Sequence, residues 1–266
     1  MVSRLPADDR GLPRAEPWRI ELLGGIRARR GRLVVTEFRT RRAAHLLARL
    51  ALNARPHSRD ELIAMLWPQS APASGRQNLS QSLSELRRRL ENSHRCEFLL
   101  ASRETVWLER ELLSTDVDDF EQALAAAHAA HGADRIGHLE RAVGIASAPL
   151  LPDVPYDWAS ASRERISAEC DMALEELAHH YEQNGDLVDA FECAWRRVRI
   201  DPMDEGAHRE FARLFERAGR PAAGLRHLLD LEHELSRRGS GEPDAATRAL
   251  ADVLRARLAE LVGALR

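Results

Sequence analysis

The sequence contains no lysine: every one of its 39 Lys/Arg positions is arginine. Coding bias in a GC-rich genome suffices to explain the count, yet the absence removes several chemistries. A P-loop needs a lysine on its phosphates, PLP enzymes and aldolases need a Schiff-base lysine, and protein kinases need one on a strand. A phosphoacceptor receiver domain, which normally sets a lysine beside its aspartate, is equally excluded. Also missing is any run of about 18 apolar residues able to span a membrane. The first 17 residues, MVSRLPADDRGLPRAEP, lack the apolar stretch of a secretion signal and read as a flexible tail. Cysteine is scarce: Cys96, Cys170 and Cys193 are scattered and odd in number, which suits a reducing cytoplasm better than a disulfide frame.

Motifs for catalysis and metal binding are lacking as well. The pairs His128/His131 and His179/His180 have neither an HExxH context nor cysteine or acidic partners at ligand spacing. Gly239-Ser240-Gly241 is a turn without a GxSxG context, and Glu175/Glu176 falls on a charged helix face. No catalytic residue, metal or cofactor is therefore expected.

What is present is a division of charge. The net value of −3 conceals two unlike halves. Residues 1–113 hold 21 arginines against 13 carboxylates, a balance of +8, and residues 114–266 hold 18 against 29, a balance of −11. A basic amino-terminal half joined to an acidic one suggests a polyanion-binding module followed by a protein-binding or regulatory one.

Local patterns give each half its architecture. Trp18, Ile20 and Leu22 alternate, Gly24-Gly25 turns, Ile26 begins a second strand, and residues 33–35 suit a third. A helix is predicted over 40–53, with Ala43, Leu46, Leu47 and Leu50 at helical spacing, until Pro56 and His57 break it. Ser58-Arg59-Asp60-Glu61 reads as a capping box for a second helix, which Pro68 and Pro72 end. A third helix is expected from Ser74 to about Glu91, then strands over 97–100 and 106–108 joined by a turn at 101–105. Sheet, three helices and a closing hairpin is the element order of a winged helix-turn-helix. Beyond Ser114, helices are predicted over 117–130, 134–145, 160–184, 187–197, 205–218, 221–238 and 243–265. Leu177/Phe211, Tyr181/Phe215, Gly185/Gly219 and Ala190/Gly224 recur at an offset of 34, the tetratricopeptide period. The fold class expected is mainly α: a tail over 1–17, a winged helix-turn-helix domain over 18–113, and an all-α tetratricopeptide-like domain over 114–266.

The third helix carries the functional signal. Its leucine stripe (Leu79, Leu83, Leu86, Leu90) lies opposite Gln77, Gln81, Ser84 and Arg88 at about 100° per residue. Asn78 and Glu85 lie on one flank, Arg76, Ser80 and Arg87 on the other. Amides pair bidentately with adenine N6/N7 and arginine with guanine O6/N7, so this face suits base readout. Only Glu85 interrupts this set, and it could itself accept from a cytosine amino group. Arg41, Arg42, Arg59, Arg76, Arg87 and the hairpin-tip Arg103 are candidates for phosphate or wing contacts, which position a protein on DNA without reading sequence.

The segments IELLGGIRA, RTRRAAHLLARLAL, SRDELIAMLWPQSAP and GRQNLSQSLSELRRRL resemble the DNA-binding domain of the SARP (Streptomyces antibiotic regulatory protein) family of transcriptional activators. STDVDDFEQAL, Trp158, IDPMDEGAHREF and EPDAATRAL resemble the bacterial transcriptional activator domain of the same family, and together the likeness covers about residues 18–257. It implies an OmpR-type winged helix that binds promoter direct repeats near the −35 region as side-by-side dimers. It also implies recruitment of RNA polymerase through region 4 of the sigma factor, in the bacterial cytoplasm on the nucleoid. By position, Gln77, Gln81, Ser84 and Arg88 belong to the recognition helix and Arg103 to the wing. Where the family usually enters its last strand with a glycine-aromatic pair, this chain has Thr105-Val106. The competing function class is a tetratricopeptide scaffold that uses its winged helix for protein contacts alone.

Overall fold

The computed structural model describes residues 16–90, 98–239 and 241–264. The proposed tail up to residue 15, Glu91, Cys96, Glu97, Ser240 and Leu265 lie outside that set. Two compact units form: one takes the described residues up to 126 together with 144–166, the other takes 127–143 together with 167 onward.

The first unit opens with a meander, β1 (Trp18–Glu21), β2 (Arg27–Arg30) and β3 (Leu33–Val35). Alternation buries Trp18 and Ile20 on one face of β1, as the sequence predicts. The chain continues through α1 (Arg41–Leu52), β4 (His57–Ser58), α2 (Arg59–Leu66), α3 (Pro72–Leu90), β5 (Leu99–Ala101), β6 (Thr105–Leu108) and β7 (Leu113–Thr115). The first sheet has the order β3-β2-β1-β7, with β7 parallel to β1 and Trp18 opposite Leu113. A second sheet, β4-β6-β5, holds the hairpin and sets His57 opposite Val106. Helix α4 (Asp116–Ala129) follows, and its first residue accepts the N–H groups of Leu22 and Leu23 at 2.9 Å, which fixes the end of β1.

Thr40 caps α1 by accepting the Ala43 N–H at 3.1 Å, and Ala43, Leu46, Leu47 and Leu50 are buried. Ser58 caps α2 by accepting from the Asp60 N–H. The expected return half of that box does not form: the Glu61 carboxylate instead meets Arg49 at 3.4 Å and Arg55 at 3.1 Å. Helix α3 begins two residues earlier than expected, because Pro72 starts it rather than filling the preceding loop. A proline in the first turn loses no bond, since the N–H it lacks has no helical partner there. Leu79, Leu83, Leu86 and Leu90 are buried as predicted. Gly75 lets α3 approach α2 closely: a Cβ there would stand 2.5 Å from Ile63 Cγ2.

Further helices are α5 (Gly132–Ile145), α6 (Asp157–Asn184), α7 (Leu187–Ile200), α8 (Glu205–Arg217), α9 (Pro221–Arg238) and α10 (Ala245–Ala264). Within the second unit the 34-residue repeat is a repeat of geometry. Gly185 (φ +80°) follows α6, where Asp186 donates its N–H to Tyr181 O at 2.9 Å. Gly219 (φ +72°) follows α8, where Arg220 donates to Phe215 O at 2.8 Å. Both are glycine caps that satisfy the last carbonyls of a helix with left-handed backbone. Ala190, Ala194 and Leu214 form a core packed by Leu187, Phe191 and Phe211. Gly224 passes so near α8 that a Cβ would lie 2.7 Å from Ala212 O, which gives the small residue at that repeat position its reason. Arg197 is buried on α7, with Nε 3.0 Å from Asp171 Oδ1 and Nη1 bonded to Glu210.

Candidate nucleic-acid interface

The leucine stripe that seats α3 turns its polar residues outward: Gln77, Gln81, Ser84 and Arg88 are exposed and Asn78 is half-buried. All five line one open cleft of about 730 Å³, together with Arg39, Thr40, Arg42 and Trp67. The cleft is walled on one side by α3 and on the other by the turn that enters α1. Sequence reasoning missed Arg39, Thr40 and Trp67 as lining residues; the helix-capping signature at Thr40 was the available clue to where α1 begins.

Ser80 donates its hydroxyl to Arg76 O and Ser84 donates to Ser80 O, both at 2.9 Å, so the Ser84 oxygen keeps only acceptor capacity toward a ligand. Glu85 departs from expectation. It is only 7% exposed, and although it lines the cleft its Oε1 accepts the Arg39 backbone N–H. The helical angle set it on the flank beside Asn78, well away from the leucine stripe, and a backbone donor from the facing turn holds it in.

The other cations fall into separate places. Arg42 lies in the cleft, whereas Arg41 is exposed on the same first turn outside it. No acidic residue occupies that turn, so the positive end of α1 is uncompensated. Burial, followed by the charges of Arg41 and Arg42, holds the His45 imidazole below its ordinary value. Arg59 is engaged with the hairpin: its Nε donates to Ser102 O at 3.1 Å and its backbone N–H to Glu104 O at 2.8 Å. Arg103 is exposed at the tip. Thr105, which stands where the family glycine would, closes that tip by donating its N–H to Ser102 Oγ at 3.0 Å. Arg76 is exposed outside the cleft, while Arg87 is half-buried with its Nε buried and without a hydrogen-bond partner. Among the described residues no group of three His, Cys, Asp or Glu side chains is placed to hold a metal ion. No helix among them is long and apolar enough to cross a membrane.

Residues 115–255, more than half of the chain, match the family model of the bacterial transcriptional activator domain. The chain belongs to that family. The SARP resemblance is thereby borne out. The activator-domain match is joined by a likeness of fold to the structure of Mycobacterium tuberculosis EmbR in complex with a low-affinity phosphopeptide. That likeness has a TM-score of 0.68 at 19% identity and covers 91% of this chain. The chain spans 66% of the length of that EmbR structure. A looser likeness, with a TM-score of 0.38 at 15% identity, pairs 56% of this chain with 91% of the C-terminal TPR-containing domain of a Plasmodium falciparum FK506-binding protein. No curated protein matches the chain in sequence.

Proposed function

We propose that this regulator is a sequence-specific DNA-binding transcriptional activator and not an enzyme. The observation that carries the reading is the cleft in which Gln77, Asn78, Gln81, Ser84 and Arg88 converge with Arg39 and Arg42. In this reading α3 enters the major groove, where its amides and Arg88 meet base edges. Arg42, Arg41, Arg76 and the hairpin-tip Arg103 meet phosphate or the minor groove, while Arg59 supports the wing from behind. The operator is a direct repeat bound by a homodimer, and the acidic helical region recruits RNA polymerase through region 4 of the sigma factor. Such a protein works in the bacterial cytoplasm, on the nucleoid.

The test is a gel-shift titration at several salt concentrations, with DNA from upstream of the gene itself and with random DNA. Binding to the specific site is expected to be roughly 10³-fold tighter or more, with log K falling by about 0.9 per neutralised phosphate against log[salt]. Equal affinity for both DNAs would remove the activator reading and leave the tetratricopeptide scaffold in its place. Footprinting on the same region then locates the operator.

A further inference from the structure

Residues 149–163 lie within the span matched to the activator domain, yet they fold into the first unit. Gly24 donates its N–H to Pro149 O and Leu151 donates to Leu22 O, both at 2.9 Å, so the segment pairs with the chain as it leaves β1. Leu150, Leu151 and Val154 are buried. Leu151 sits at φ +46°, a conformation that an L side chain keeps only where its surroundings hold it. Arg163 supplies the hold: its guanidinium donates to the carbonyls of Leu150 (2.9 Å), Leu151 (2.8 Å) and Val154 (3.1 Å).

The far side of this turn meets α1. Tyr156 stands edge-on to His45 at 5.4 Å between ring centroids, and the Arg49 guanidinium lies over the Trp158 ring at 5.6 Å. His45 and Arg49 are one helical turn apart on one side of α1. At its start the same helix brings Arg42 to the cleft, and Glu85 of α3 ties down Arg39 just before it. Trp158 Nε1 and Arg49 Nε are buried without hydrogen-bond partners and Arg49 Nη2 donates to Glu61 Oε1 at 3.4 Å, so the ring meets an anchored guanidinium by face contact rather than by a hydrogen bond.

We propose that residues 149–163 are a strap that sets α1 in place for DNA reading, with Trp158 and Arg163 as positioning residues. The proposal rests on the DNA-reading role of the cleft. It makes a piece of the activator domain a working part of the DNA-binding unit.

Full-length Trp158→Ala and Trp158→Phe test it. The salt dependence of DNA binding is measured with the active fraction fixed by stoichiometric titration, and amide hydrogen exchange along α1 is followed without DNA. For Trp158→Ala, α1 exchange is expected to quicken, affinity to fall about tenfold at low salt, and the salt slope to flatten by about 0.9 for each phosphate that α1 ceases to neutralise. Phenylalanine keeps a ring for Arg49 and is expected to restore all three. An unchanged salt slope, with any fall in affinity explained by a smaller active fraction, overturns the proposal, because a merely structural residue behaves that way. If the unaltered protein shows no specific DNA binding, the functional reading falls, and exchange still decides the strap. Quickened α1 exchange rescued by phenylalanine then supports it, and unaltered exchange refutes it.

Discussion

The Glu85 carboxylate, buried in the middle of α3, accepts the backbone N–H of Arg39 at the entrance to α1. One bond thus joins the two walls of the cleft. Removing the acceptor strands a donor and opens a cavity. Glu85→Ala is expected to cost roughly 1–3 kcal/mol of stability in denaturant titration. Glu85→Gln keeps an acceptor and is expected to lose less.

Gln81 and Arg88 face the cleft, whereas Arg41 lies on the first turn of α1 outside it. Gln81→Ala and Arg88→Ala are expected to cost about 1–3 kcal/mol at the specific site and relax base preference there. Arg41→Ala is expected to weaken all DNA about equally and to lower the salt slope by about 1. Binding to a panel of single-base operator variants separates these patterns, and identical profiles would show the reading face to be misassigned.

Gly224 admits no side chain without moving the Ala212 carbonyl, which a Cβ would approach to 2.7 Å. Backbone cannot rotate away as a side-chain tip can. Gly224→Ala is therefore expected to destabilise the protein by about 1–3 kcal/mol through overpacking, despite the gain in helix propensity. Gly137→Ala, where a Cβ meets nothing within 4 Å, is the control expected to be neutral or stabilising. Thermal unfolding of the two variants measures the difference.

Arg197 is 7% exposed among Asp171, Glu175 and Glu210. Burial alone would lower its pKa, but the hydrogen bond to Asp171 and the charges of Glu210 and Asp171 outweigh burial and raise it. Arg197→Met leaves the half-buried Asp171 and Glu210 facing one another without their cation and is expected to cost roughly 1–3 kcal/mol by chemical denaturation.

His208 and His227 stack with ring centroids 4.8 Å apart and a nitrogen–nitrogen distance of 3.0 Å. Burial, then the neighbouring His208, pushes His227 down to about 4 from an ordinary value of 6.5. The unfolded chain therefore takes up a proton first as pH falls. The stability tied to neutral His227 is complete above pH 6.5 and is lost progressively between 6.5 and about 4. His227→Phe is expected to flatten that part of the stability–pH curve, and an unchanged slope would show that the pair does not control it.

Where a side-chain period decided burial, the sequence was readable. Thr40 and Asn53 flank α1 as cap residues, and the leucines of α3 all turn inward. Pairings between distant residues left no local trace. The two-residue β4 exists because β6 lies beside it, and β7 joins β1 in parallel across more than 90 residues of chain. Glu85 shows the same limit within the candidate site: its angle on the helix was known, but the Arg39 donor that buries it was not. The Asp60 N–H capped by Ser58 was legible from spacing, whereas Glu61 was diverted from its box by Arg49 and Arg55, which approach from outside α2.

The paired glycine caps at Gly185 and Gly219 carry a consequence for how such a chain can grow. Each cap reads only its own helix end, and each helix pair packs mainly on its neighbours. A duplication of one whole 34-residue period would bring a complete set of caps, a small residue for the next close crossing, and an apolar face in register. A duplication of any other length would bring an incomplete set of caps and set the apolar faces of neighbouring helices out of register. The step in which the helical region can be lengthened is thus set by the repeat, one whole period at a time.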